Sequence, residues 1–420
     1  MDQIKKAWQI VHIHLHPMAK RLMAVNALRS IGQGVMVVDL ALYLHALGWQ
    51  AVAIGGAITA GGLLSVGLVI FVGVFSDRFG RKPFILFFEG VTAGCALIGL
   101  LSTNAILLFF AIALSGFGKA EAGSASPCAP AEQAWLASFI PAHERGKIYS
   151  INNALSFFGM GFGAVLAGLT ALWEPWLPGV LSYQSLFGLI LVLSLVIIAI
   201  ILTIKDDVEK KVLEKPSIIQ ERKISRQENL VVMKLASINM INGFAIGLTG
   251  PMMSYWFAAK FGASGTLIGS SLALTFFATG VTSILQASLS KRHGTIRSVV
   301  WIRVLASFLV VLLPVLPTYA LASLAYLART ALNRGTQGAQ QALSVSLTRD
   351  RRRGFASSIN TLSMRMPMAI GPSISGYLFG LGSLSLPFFI AAGLQFGFAY
   401  LYGKTFRSFD LQMKSQSSLS

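Results

Sequence analysis

Acidic side chains are scarce in this sequence, with 16 Asp and Glu against 34 Lys and Arg, and charged residues of either sign fill 12% of its 420 positions. A soluble domain carries about twice that share, so water is not the solvent of most of this surface. Cysteine is scarcer still. Cys95 and Cys128 both fall in apolar stretches, which excludes a disulfide framework and a metal-finger spacing. No Gly-rich phosphate loop of Walker type occurs, which disfavours ATP-driven work. No cluster of His and carboxylate residues occurs either, so neither an enzyme nor a cofactor is expected. His12, His14 and His16 alternate along the chain, and alternate residues of a helix point about 200° apart, so they do not converge on a metal ion.

What the sequence has is apolar length. Hydrophobic residues make up 54% of it, and the mean hydropathy is +0.68. A hydrocarbon core of about 30 Å needs roughly 20 apolar residues per helical span. Twelve such spans are expected, at about 18–45, 50–75, 83–102, 105–138, 147–171, 182–204, 230–258, 265–289, 297–316, 318–347, 354–381 and 385–404. An even number puts both termini on one side. Lys and Arg cluster in 5–21, 78–82, 145–147, 205–226, 291–297, 349–353 and 404–414, whereas the opposite loops hold only Lys260. By the positive-inside rule both termini are cytoplasmic in an inner membrane. The first span acts as its own insertion signal, with no cleaved leader expected. The formal net charge of +18 is dealt out among these inner loops, so nucleic acid is not an expected partner.

One long charged segment, 205–228, reads as a linker between an N-terminal six-helix bundle, 1–204, and a C-terminal one, 229–420. The halves also repeat in sequence. Arg145-Gly146 and Ser150-Ile151-Asn152 recur 208 residues later as Arg353-Gly354 and Ser358-Ile359-Asn360, and Gly163 and Gly168 recur as Gly371 and Gly376. An offset of 214 aligns Ser76, Arg78 and Gly80 with Ser290, Arg292 and Gly294. The second span therefore corresponds to the eighth, the fourth to the tenth and the fifth to the eleventh. Parallel six-helix repeats with a solute site between them form a known transporter architecture.

The loop after the second span reads Gly73-Val-Phe-Ser-Asp77-Arg78-Phe-Gly80-Arg81-Lys82. It resembles, at every specified position, the hallmark loop Gly-x-x-x-Asp-Arg-x-Gly-Arg-Lys of the major facilitator superfamily. The resemblance implies an all-α membrane fold of twelve transmembrane helices in two pseudo-symmetric six-helix bundles. It also implies a latch in which Gly73, Asp77, Arg78, Gly80 and Arg81 meet the start of the eleventh span near Arg353. Gly159, Gly163, Ala164 and Gly168 partly resemble the glycine-rich fifth helix of exporters in that family, with Ala164 where the family has Pro. Small residues at this spacing equally serve close helix packing.

Charge deep in a bilayer is costly and marks candidate sites. Asn26, Arg29 and Gln33 share one face of the first span by the i, i+3, i+7 spacing. With Lys119, Asn239, Asn242, Arg334, Gln337, Gln341 and Arg365 they form the expected solute cavity; all but Arg365 stand on the first, fourth, seventh and tenth spans, which line the cavity in the resembling family. Glu121, Glu132 and Asp39 are the candidates for carrying a coupling proton, since a carboxyl group at such depth suits reversible protonation. Glu121, Cys128 and Glu132 fall on one face if the fourth span is continuous. Glu89 and Arg303, nearer the cytoplasmic face, read as snorkelling or latch residues. Acids of this depth lie in the first half, whereas Arg303, Arg329, Arg334 and Arg365 lie in the second, which leans towards an anionic or zwitterionic solute.

The expected function is secondary active transport of a small organic solute by alternating access, as a monomer: proton-coupled efflux of a drug or metabolite, or proton-coupled uptake of an anionic metabolite or chelate. A non-transporting membrane sensor or scaffold is the reading of another class. The topology is testable by fusion. Green fluorescent protein placed after Ser420 is expected to fluoresce, and alkaline phosphatase inserted after Trp176 to be active; the reverse pattern overturns the orientation.

Overall fold

The fold was analysed in a computed structural model, which describes residues 16–118, 127–140, 145–204, 218–293, 295–335 and 353–417. Every regular element among them is a helix. In chain order they are α1 (Pro17–Ala46), α2 (Ala51–Phe79), α3 (Arg81–Leu101), α4 (Ala105–Ser115), α5 (Ala129–Ser138), α6 (Arg145–Gly168), α7 (Thr170–Trp173), α8 (Val180–Leu202), α9 (Ile218–Thr249), α10 (Met253–Phe261), α11 (Gly265–His293), α12 (Thr295–Leu312), α13 (Tyr319–Gly335), α14 (Arg353–Gly380) and α15 (Leu386–Ser417).

Local sequence explains the ends. Pro17 opens α1, and His16 Nδ1 accepts from the Met18 amide at 3.3 Å. Asn104 caps α4 by accepting from the amides of Ile106 and Leu107 at 3.0 and 3.2 Å, which satisfies two of the amides a helix start leaves open. Gly80 takes a φ of +91° between α2 and α3, a conformation that favours glycine and lets one helix follow the other without a connecting loop. Lys82 donates to the carbonyls of Leu202 and Ile204 at 2.9 and 2.8 Å, and Arg21 to that of Thr203 at 3.0 Å. Two cations thus close the C-terminal end of α8, where the helix dipole is negative.

Eight helices of the described part are long and apolar enough to cross a membrane. The other four expected spans are α4 with α5, α12, α13 and α14, which are shorter or carry arginine. Two expected spans are broken. The fourth, read as continuous over 105–138, stops at Gly116, where Gly116 and Gly118 both have positive φ, and a helix is described again from Ala129, beside Pro130. The expected face of Glu121, Cys128 and Glu132 falls partly on 119–126, which lie outside the described residues. The seventh is interrupted at Gly250-Pro251, because a proline there can neither donate to the ladder nor spare the preceding turn. Helix α9 also begins at Ile218, so the segment expected as linker is helical from there on, while 205–217 lies outside the described residues.

Packing repeats between the halves. Helix α1 lies on α6 and α3 on α8, just as α9 lies on α14 and α12 on α15. A Cβ at Gly163 would collide with the Ile31 carbonyl of α1 and one at Gly159 with the Ala27 carbonyl, whereas Gly161 and Gly168 face Phe277 and Gly269 of α11, so the glycines of α6 serve close packing both within the first half and against the second. The halves meet where α2 crosses α14 and α6 crosses α11, mainly towards the end of the bundle away from Gly80. There Gly55 abuts the Pro372 carbonyl and Gly376 the Ala51 carbonyl. The Ser373 amide donates to Thr59 Oγ1 at 3.0 Å, and Ser254 Oγ donates to the Val37 carbonyl at 2.7 Å.

The α2–α14 contact makes a testable clasp. Gly376→Leu has no room beside Ala51 and is expected to push the two helices apart. A cysteine introduced by Ser65→Cys should then react several-fold faster with an impermeant maleimide in intact cells than in the Gly376 background; equal rates would refute the clasp.

Candidate functional site

Two polar clusters sit inside the helix bundles, one in each half. In the first, Arg29 of α1 binds two glutamates at once. Its Nε donates to Glu89 Oε1 of α3 at 2.5 Å and its Nη1 to Glu132 Oε2 of α5 at 2.6 Å. All three side chains are nearly withdrawn from solvent. One guanidinium faces two carboxylates, so the trio carries a formal excess of one negative charge when both acids are ionised. Glu132 Oε1 and Arg29 Nη2 are buried and have no hydrogen-bond partner. Arg29, Glu89 and Gln33 line one cavity between α1, α3, α4 and α8.

In the second cluster Arg303 of α12 is fully buried and its Nη1 donates to Asn242 Oδ1 of α9 at 2.9 Å and to Asn333 Oδ1 of α13. Its guanidinium lies over the Phe398 ring, 5.2 Å from the centroid. Amide oxygens and an aromatic face take the place of the two carboxylates. The expectation that Glu89 and Arg303 snorkel or latch is therefore corrected: both are turned into their own bundles. A long side chain reaches either way, and only the neighbouring helices decide which.

The repeat relates these clusters. Arg29 and Asn242 stand 213 residues apart, and Glu89 and Arg303 stand 214 apart, the offset that already aligns Ser76 with Ser290. Asn26 and Asn239 also stand 213 apart. Asn26 Nδ2 donates to Ser156 Oγ at 2.6 Å and to the Asn152 carbonyl at 3.3 Å, and Asn239 Nδ2 donates to Asn360 Oδ1. The α1–α6 tie thus has a counterpart in the α9–α14 tie, whereas the ionic tie of the first half became a neutral one in the second. Glu89 and Arg303 are the members that reading by depth undervalued. Extending the 214-residue alignment one helix further would have found them as a pair.

The remaining expected residues scatter. Asp39 is 1% exposed and its Oδ2 has no partner; ten residues from Arg29, it lies about 15 Å further along α1. Arg365 lines a second cavity with Ile58 and Ser65 of α2 and Met368 of α14. Arg334 lies over the Phe157 ring of α6, 5.4 Å from its centroid, and so reaches the other half. Arg81 opens α3. Gly73, Asp77, Arg78 and Arg353 belong to α2 and α14, but their side chains lie outside the described residues, as do Lys119, Glu121, Gln337 and Gln341 altogether.

Comparison with known proteins decides the family. The profile of the Major Facilitator Superfamily matches residues 22–233 and 235–407. The chain belongs to the Major Facilitator Superfamily. A multidrug resistance protein MdtH of Yersinia enterocolitica serotype O:8 / biotype 1B is 31% identical over 160 residues, which cover 34% of this chain and 38% of that one. The MdtH of Yersinia pestis (strain Pestoides F) is 33% identical over 127 residues, 30% of this chain and 29% of that one. The matched stretches thus cover only 38% and 29% of the length of these relatives. Among solved structures, a D-xylose-proton symporter superposes with a TM-score of 0.72 at 13% identity, covering 91% of this chain and 96% of its own. The nucleoside transporter NupG gives 0.69 at 13% identity, over 93% and 99%. At such identities the likeness is one of fold. A superfamily member of this fold is a multi-pass membrane transporter.

The two clusters differ in what removal of their arginine leaves behind. Arg29→Met strands two carboxylates in a buried site and is expected to cost about 3–5 kcal/mol. Arg303→Met strands only amide oxygens and is expected to cost about 1–3 kcal/mol. Thermal unfolding of the detergent-purified variants checks the order; an equal or reversed loss overturns it.

Proposed function

We propose that this transporter is a proton-coupled exporter of small organic solutes, in which the halves 1–204 and 229–420, joined by 205–228, rock about a central site. The single observation that carries the proton coupling is the trio Arg29–Glu89–Glu132. A lone arginine cannot fully compensate two carboxylates, so one of them takes up and releases a proton at modest cost. Glu132 is the better carrier, because Oε1 is free of partners and because α5 follows a break in the fourth span. Protonation there weakens the pair with Arg29 and loosens α5 from α1; release restores it. Burial of the trio lets this one proton bias the arrangement of whole helices.

Export is supported by the partial likeness to MdtH and by the glycines of α6. On the same reading both termini are cytoplasmic, the membrane is the inner one, and the protein works as a monomer. Asp77 and Arg353 are the proposed latch between the halves. Uptake of an anion remains the second reading, favoured by the arginines of the second half.

The test uses proteoliposomes with a trapped pH dye, challenged with pools of organic anions, zwitterions and lipophilic cations. One pool is expected to move protons out of an acid-loaded lumen, and Glu132→Gln to abolish that movement while leaving downhill solute exchange. Coupled movement that survives Glu132→Gln would overturn the assignment, and protons moving with the solute would reverse the direction.

A further inference from the structure

The second half has a charge problem that its own sequence cannot solve. Between Glu228 and Asp350, and again between Asp350 and Asp410, there is no acidic residue, yet Arg303, Arg329, Arg334 and Arg365 stand within its expected spans, away from their ends. Burying an unpaired ion is expensive, and proteins offset it with a counter-charge or with several hydrogen bonds. Arg303 has the second solution, two amide oxygens and an aromatic ring. Arg329 has neither in full.

Arg329 is 4% exposed in α13. Its Nη2 donates to Thr249 Oγ1 of α9 at 2.8 Å, and its guanidinium lies 6.0 Å from the centroid of Tyr326. Its Nε is buried without a partner. Five N–H donors in a planar fork are poorly served by one hydroxyl and a distant ring edge. Neighbouring charge makes matters worse, because Arg303 and Arg334 both lie near enough to repel it. Arg334, five residues on, sits about 7.5 Å along the helix axis and reaches Phe157 of the other half. Positive charge thus accumulates inside the second half, and Arg334 carries it to an aromatic ring of the first.

From this we infer that Arg329, supported by Arg334 and by the Thr249 hydroxyl, binds the anionic group of the transported solute, and that the solute is a small organic anion carrying a carboxylate or a phosphate on an apolar or aromatic body. The fork of Arg329 matches two oxygens of either group. The Phe157 and Tyr326 rings suit the body. Binding brings the counter-charge that the second half lacks, while the excess negative charge of the first half is relieved by a proton. This inference rests on the transporter reading but not on its coupling or direction.

The experiment is isothermal titration of the full chain in nanodiscs with benzoate, phenyl phosphate and benzyltrimethylammonium. The two anions are expected to bind and to compete, and the cation not to bind. Arg329→Gln should weaken the anions by at least about tenfold, the size of a lost charge-assisted hydrogen bond, and Arg329→Lys should recover part of that loss. Size-exclusion profiles and a benzoate-independent thermal transition establish that each variant is folded. Anion binding that is unchanged in folded Arg329→Gln, absence of anion binding to the wild type, or preference for the cation each overturns the inference. Proton movement driven by a lipophilic cation in the same preparation would leave coupled transport standing while the anion site falls. Anion binding without proton movement would do the opposite.

Discussion

The interaction on which the interior depends is the grip of Arg29 on Glu89 and Glu132, at 2.5 and 2.6 Å. In a bilayer no water shell offsets a buried ion, so charged groups must find one another or be displaced to the interface. Three helices, α1, α3 and α5, are held together by that requirement. The pairing is incomplete by one charge when both carboxylates are ionised, which sets this cluster apart from a balanced ion pair.

The repeat shows how one scaffold yields two chemistries. Asn26 and Asn239 tie the first to the fifth span and the seventh to the eleventh, and close helix packing surrounds both ties. At the next turn Arg29 is matched by Asn242, and at the facing helix Glu89 is matched by Arg303. Charge has changed sign across the pseudo-symmetry axis while geometry has stayed. The buried cluster of the first half holds two acids and one arginine, whereas that of the second holds an arginine among amides. The two halves meet at a clasp of glycines between α2 and α14.

Much of this was legible in the chain. Twelve apolar stretches, the repeat at 208 and 214, and the loop from Gly73 to Lys82 indicated an all-helical membrane fold and the family. Arg29, Glu132, Asn239, Asn242 and Arg334 were legible as costly groups at depth. Their partners were not. Asn26, Arg29 and Gln33 share a helical face, yet Asn26 turns to α6, Arg29 to α3 and α5, and Gln33 to a cavity, because side chains several bonds long are aimed by what lies opposite and not by spacing alone. The breaks at Gly116 and at Gly250-Pro251 escaped for a related reason: apolar length continues across them, and only backbone hydrogen bonding records the interruption.

The sequence by itself determined the solvent of this protein, its helical periodicity and its twofold repetition, since each follows from local composition and from the bilayer's refusal of unpaired backbone groups. Tertiary structure alone decided which buried charges neutralise one another. Pairing energy depends on distances between helices far apart in the chain: Arg29 meets Glu89 across 60 residues and Glu132 across 103, and no periodicity within a single helix encodes such a meeting.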